Sequence, residues 1–241
     1  MLLVKNLTKQ FGSHAAVHDV SFSIAAGEIF ALIGPNGSGK TTIVKNIVGL
    51  LRPNIGSVGV GGFDVVEKPR ETKSLIGYIP DEPNVWPKMT GEEFLYFAGA
   101  LYEMDQKACA QRIRQLLPVF HLEKIAGQYF EEYSRGNKQK FSICAALLHN
   151  PKLLIIDEPI VGLDPTSALI AEQVFRDYAA EGRAILLVTH TLSVAQSLAH
   201  RIGVLKNGRM VSSGTFEQLK KEAKIRKRTV LLDDIYQVLA T

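Results

Sequence analysis

Apolar residues in this chain fall into short dense runs, with helix-spaced stretches between several of them. Residues 2–4, 20–24, 29–33, 57–60, 76–79, 153–156, 184–188 and 202–205 carry the apolar, β-branched character of strands. The runs LLIID and ILLVTH are continuous rather than alternating, the pattern of strands buried on both faces. Helical patterns between several runs predict a parallel sheet with crossover helices. The first strands are separated by short turns such as AAGE, which predicts a small antiparallel layer beside the main sheet. From Gly91 to about Asn150 no strand-like run occurs. Both GEEFLYFAGALYEM and QKACAQRIRQLLPVF have helical spacing, so an inserted helical subdomain is expected at about 84–150. The closing LLDDIYQVLAT predicts a short amphipathic tail helix, dividing the chain at 1–226 and 227–241.

Composition narrows the class. An apolar fraction of 46% over 241 residues suffices for a sizeable core. No apolar run approaches the roughly 18 residues of a membrane span. The opening MLLVKNLTKQ is charged and lacks a signal-peptide core, so a soluble, cytosolic protein is expected. Cys109 and Cys144 are far apart and read as small buried thiols; the six histidines show no ligand spacing. The net charge of +4 is local. KKEAKIRKR, residues 220–228, holds six basic residues and one acid, leaving 22 basic and 23 acidic residues elsewhere. That balance excludes a globally basic nucleic-acid-binding surface. The segment is either a solvated helix end or a patch facing anionic lipid or an acidic partner.

Candidate chemistry begins at GPNGSGKTT, comprising Gly34, Pro35, Asn36, Gly37, Ser38, Gly39, Lys40, Thr41 and Thr42. The strand-like IFALI leads in and the helical TTIVKNIVGLL leads out, the context of a P-loop. Glycines let backbone N–H groups converge on phosphate, and a helix N-terminus adds its positive dipole end. In such a site Lys40 holds the β- and γ-phosphates and the Thr41 hydroxyl binds Mg²⁺. A second site follows in LLIIDEP, where a buried strand delivers Asp157 toward Mg²⁺ and Glu158 toward the γ-phosphate as a base for water. The fold class is therefore α/β: a P-loop NTPase core with a mostly parallel sheet.

With these motifs in order, the chain resembles the ATP-binding cassette family, the motor subunits of ATP-driven membrane transporters. The likeness runs from LTKQFG to GRMVSSGT. It implies that LLIIDEPIVGLDP is the Walker B and D-loop run ending in Asp164, and that LLVTHT brings His190 to the γ-phosphate. It further implies that YSRGNKQKFS is the signature and that Phe11 stacks on adenine. Each role has a plainer rival: Phe11 filling the antiparallel layer, His190 a satisfied strand-end histidine, Asp164 a helix cap.

Two segments depart from the family pattern. Asp81 stands where a glutamine usually contacts the metal site, and Tyr133, Ser134, Arg135, Gly136 and Asn137 replace Leu-Ser-Gly-Gly-Gln. Ser134 and Gly136 are retained, and the variants are similar to those of exporter-type cassettes. Trp86, between Pro83 and Pro87, is either a core anchor or a contact for a membrane subunit. The resemblance implies an ATPase using ATP and Mg²⁺, paired with a second cassette and with integral membrane subunits, peripheral on the cytoplasmic face. The rival readings are an importer subunit, a soluble cassette acting on ribosomes or DNA, and an inactive regulatory cassette.

Overall fold

The computed structural model describes every residue except 84, 159, 161, 226–229, 240 and 241. In chain order the strands are β1 (Leu2–Phe11), β2 (His14–Ile24), β3 (Ile29–Ile33), β4 (Ile55–Val60), β5 (Phe63–Asp64), β6 (Ile76–Ile79), β7 (Leu153–Asp157), β8 (Ala184–Thr189), β9 (Arg201–Lys206) and β10 (Arg209–Gly214). The helices are α1 (Lys40–Ile47), α2 (Pro69–Ser74), α3 (Gly91–Leu101), α4 (Gln106–Val119), α5 (Arg135–Leu148), α6 (Pro165–Ala180), α7 (Leu192–Leu198), α8 (Phe216–Glu222) and α9 (Leu232–Leu239).

They build two sheets. One is antiparallel, in the order β2-β1-β4-β5. The other, β10-β9-β3-β8-β7-β6, is parallel except for the β9–β10 hairpin. Its central strands explain their unbroken hydrophobicity. Along β3, Ile29, Ala31 and Ile33 enter one core, while Phe30 and Leu32 enter the other. The same alternation divides Leu154 and Ile156 from Leu153 and Ile155. Both faces are covered, so no position on these strands can be polar without cost.

The outer strands are longer than their apolar runs suggested. In β1, Leu2 and Val4 are buried while Leu3 is 43% exposed, so polar residues extend the strand without interrupting its buried face. Irregular pairing between Val4 and Leu7, with Asn6 at φ 47°, also hides the period. For related reasons β5, only two residues long, and the half-exposed β10 are not legible in the apolar pattern.

The helical region contains α3, α4, α5 and a 3-10 turn at Phe130–Glu132. Its helix starts are locally encoded. Thr90 and Glu93 form a reciprocal capping box on α3, Asp105 caps α4, and Ser134 caps α5. Phe94, Phe130, Tyr133 and Phe141 hold the region together through edge and stacked contacts. The expected tail helix is present as α9, with Leu232 and Ile235 buried in the same core as α7. The expected boundary at 226/227 and the end of the basic run lie outside the described residues.

Gly77 fixes how close β6 lies to α5. A Cβ there would fall 2.4 Å from the Ala146 carbonyl oxygen and 2.7 Å from a Pro151 carbon. Gly77→Ala is expected to destabilise the protein by about 1–3 kcal/mol through overpacking. Urea unfolding should show a lower midpoint at unchanged slope, and an unshifted midpoint would refute the tight contact.

Candidate functional site: a cleft at the carboxyl edge of the parallel sheet

The site starts where β3 stops. After Ile33 the chain turns through Gly34–Gly39 and enters α1, whose N-cap is Gly39 at φ 107° with no side chain capping the first turn. A side chain at Gly39 would strike the Ala16 carbonyl oxygen at 2.6 Å. Gly34 and Ser38 form the buried underside of the loop, and Pro35, Asn36 and Gly37 are exposed. The uncapped first turn, with no acidic residue in it, is a cradle of N–H donors suited to phosphate. Lys40 meanwhile folds back, donating to the carbonyls of Gly34 at 2.8 Å and Pro35 at 3.1 Å.

The acidic side of the cleft comes from β7. Asp157 is its last residue, and Glu158 follows at φ 51°, a left-handed conformation that is uncommon for a non-glycine residue. That turn carries the Glu158 carboxylate to the end of β8. There it accepts from the Thr189 hydroxyl at 2.8 Å and the His190 backbone N–H at 2.6 Å, with His190 Nδ1 also at 2.6 Å. Thr189 was not singled out from the sequence, because nothing about a buried strand threonine marks its partner. The cleft, about 340 Å³, is lined by Ala16, Asn36, Gly37, Gly39, Lys40, Thr41, Thr42, Asp81, Asp157, Glu158 and His190.

The remaining expected residues lie elsewhere. Ser134 caps α5 by accepting from the Asn137 N–H at 3.2 Å, and Gly136 sits where a Cβ would be 2.9 Å from the Gly162 carbonyl oxygen. Asp164 does cap α6, accepting from the Ser167 N–H at 3.0 Å, and hydrogen bonds from Ser167 hold its carboxyl down to about 2. Its carboxylate also lies 3.7 Å from Lys140 Nζ. Phe11 is 49% exposed at the β1–β2 turn, which removes the core-filling alternative; the Lys9 ammonium lies 5.5 Å above its ring. Arg135 reaches Asp81 at 3.6 Å, joining the two segments that depart from the family pattern.

A family model described as ABC transporter matches residues 17–161, more than half of the chain. The chain belongs to this family. It is similar to the linearmycin resistance ATP-binding protein LnrL of Bacillus subtilis strain 168, 34% identical over 215 residues, covering 89% of this chain and 69% of that one. A solved ATP-binding subunit of an ABC transporter is 34% identical, with a TM-score of 0.94 and 99% coverage of both chains. A dimeric ATP-binding cassette in a post-hydrolysis state, bound to ADP and Pi, is 26% identical with a TM-score of 0.81, covering 89% of this chain and 98% of that one. ABC cassettes bind and hydrolyse ATP, dimerise and work with membrane subunits. No helix among the described residues is long and apolar enough to cross a membrane.

Charge in the cassette's cleft is unbalanced. Burial pushes the Asp157 carboxyl up from 3.8 to about 6; Glu158 and Asp81 add repulsion and Lys40 partly offsets it. Burial also lowers Lys40 from its ordinary value, against the pull of Glu158 and Asp157. Oxygen donors from Asp157 and Thr41 in the same cleft, with negative charge in excess, fit a hard divalent cation. Among the described residues no group of three His, Cys, Asp or Glu forms a protein-only metal cage. Mg²⁺ does not require one, because it keeps waters and takes phosphate oxygens.

The raised value gives a stability test with a defined sign. Between 3.8 and about 6, folded Asp157 retains a proton that the unfolded chain has lost. Stability of the nucleotide-free protein therefore falls as pH rises through that window. Asp157→Asn is expected to add about 1–3 kcal/mol at pH near 8, shrinking toward pH near 4. Denaturant unfolding at both pH values reads this, and an equal effect at both would contradict the assignment.

Proposed function

We propose that this chain is the ATP-hydrolysing subunit of an exporter, closing against a second cassette over Mg·ATP and reopening after hydrolysis. The observation supporting hydrolysis is the single cleft shared by Lys40, Thr41, Asp157, Glu158 and His190. In this reading Lys40 leaves its loop carbonyls for the β- and γ-phosphates, while the N–H groups of Gly37 to Thr42 cradle them. Thr41 and Asp157 would hold Mg²⁺, which neutralises charge developing on the phosphates. Glu158 orients the attacking water, kept in place by Thr189, and His190 contacts the γ-phosphate. Phe11 supplies a ring for the adenine.

Ser134, Gly136 and Asn137 act on the nucleotide of the opposite cassette, beside the D-loop residue Asp164. Their positions outside the cleft support such a composite site. Export is favoured by the resistance function named for LnrL, together with Asp81 and Arg135. The cassette is assigned to 1–226, with its helical subdomain at about 84–150 and a tail from 227. It works at the cytoplasmic face of the membrane.

The membrane subunit is proposed to dock on an apolar groove of about 290 Å³ beside the helical subdomain, lined by Trp86, Pro83, Phe97 and Leu101 among others. Trp86 is 52% exposed and touches Phe97 edge-on at 5.1 Å, so it is available to a partner.

Glu158→Gln should bind ATP normally while hydrolysis falls by at least about a hundredfold, because the base is lost and the phosphate cradle remains. With Mg·ATP it should accumulate as a dimer by size-exclusion chromatography; near-native turnover would exclude Glu158 as the base. Trp86→Ala should weaken co-purification with the membrane subunit while shifting Tm by no more than a few degrees. A large fall in Tm would make Trp86 a core anchor instead.

A further inference from the structure

The two segments that depart from the family pattern approach one another. Arg135 Nη2 lies 3.6 Å from Asp81 Oδ1, with both side chains about half exposed. The arginine stem crosses Gly162, where a Cβ would fall 3.1–3.3 Å from Arg135 Cδ, Cγ and Nε. Gly162 has φ 87° and no side chain, so it provides the channel in which the arginine lies. Three segments therefore meet at Arg135: the loop after β6, the first turn of α5 and the loop after β7. Asp81 also lines the nucleotide cleft and repels the Asp157 carboxylate there. One carboxylate thus faces a cation site on one side and the signature arginine on the other.

We infer that Asp81 and Arg135 form a charge relay between the two composite sites of the cassette dimer. Without a divalent cation in the cleft, Asp81 holds Arg135 across Gly162. With a cation beside Asp157 and Thr41, Asp81 turns toward it and releases the guanidinium. Arg135 then offers a charge-assisted contact to the phosphate held by the opposite subunit, beyond what the Ser134 hydroxyl supplies. The relay makes Arg135 a positioning and charge-supplying residue whose availability depends on its own cleft being loaded. This rests on the cassette reading above. An exposed pair of this kind is weak, which suits a contact that must open.

The test follows the Arg135 Nε–Hε group by NMR in the ¹⁵N-labelled full chain, assigned by its loss in Arg135→Gln. Conditions are chosen so that sizing shows a monomer. In the nucleotide-free protein its hydrogen exchange should be about two- to fivefold slower than in Asp81→Asn. Mg·ADP should move the native signal toward its position in Asp81→Asn, whereas ADP with EDTA should leave it in place. The reversed pair Asp81→Arg with Arg135→Asp should regain slow exchange at the new arginine but lose the response to Mg·ADP. Identical Arg135 signals in the native chain and Asp81→Asn would show that no ion pair exists. A difference between them with no response to bound Mg·ADP would show a static surface pair. Either result overturns the relay. Binding is read independently from the Gly37, Gly39 and Thr41 amides; if these do not move, the cassette reading itself fails and takes the relay with it.

Discussion

Parallel pairing of β3, β8 and β7 in one register sets the level at which every reactive group leaves the sheet. Ile33 pairs with Thr189, and Val188 pairs with Asp157, so the three strands end side by side. The phosphate loop, the acidic pair and His190 emerge from those ends into one crevice. Open α/β sheets bind ligands at this edge because the helices that follow the strands start there, with N–H groups pointing outward. A one-residue slip would exchange the two core faces of the moved strand. Both faces are fully buried here, so the slip is costly, and the register of the site is secured by hydrophobic burial far from the chemistry.

That crevice concentrates more negative than positive charge. Asp81, Asp157 and Glu158 face Lys40, and Lys40 is occupied with carbonyls of its own loop. Glu158 is steadied by Thr189 and His190, at a backbone angle that few non-glycine residues adopt. Among the described residues none gives the Asp157 carboxylate such a hydrogen bond, and burial raises its proton affinity. Neighbouring carboxylates thus sit in different environments, which suits one to a cation and the other to water.

Arg135 ties this crevice to a second surface. Residues 133–137 belong to the helical region, whose aromatic core includes Tyr133 stacked on Phe141. Their helix start packs against Gly162, in the loop that follows the acidic pair. Gly162 and the first turn of α5 therefore lie in direct contact, at a point away from the sheet.

Local chemistry made much of this legible. The unbroken apolar runs of β3, β7 and β8 record burial on both faces, and Gly34, Gly39, Lys40 and Thr41 carry the spacing of a phosphate-binding loop. Asp164 was readable as a helix cap because a cap acts within three residues, and the same short reach joins Ser134 to Asn137. The full lengths of β1 and β2 and the presence of β5 and β10 were not readable, since bulges, polar edges and brevity erase the period of two. Nothing in the chain pairs Asp81 with Arg135 or Thr189 with Glu158, which are 54 and 31 positions apart. Sequence by itself determined which groups were present and which elements carry them, because those depend on neighbours along the chain. Only tertiary structure decided which charges face one another, because contacts between separate loops are set by sheet register and by how closely a glycine lets two backbones approach.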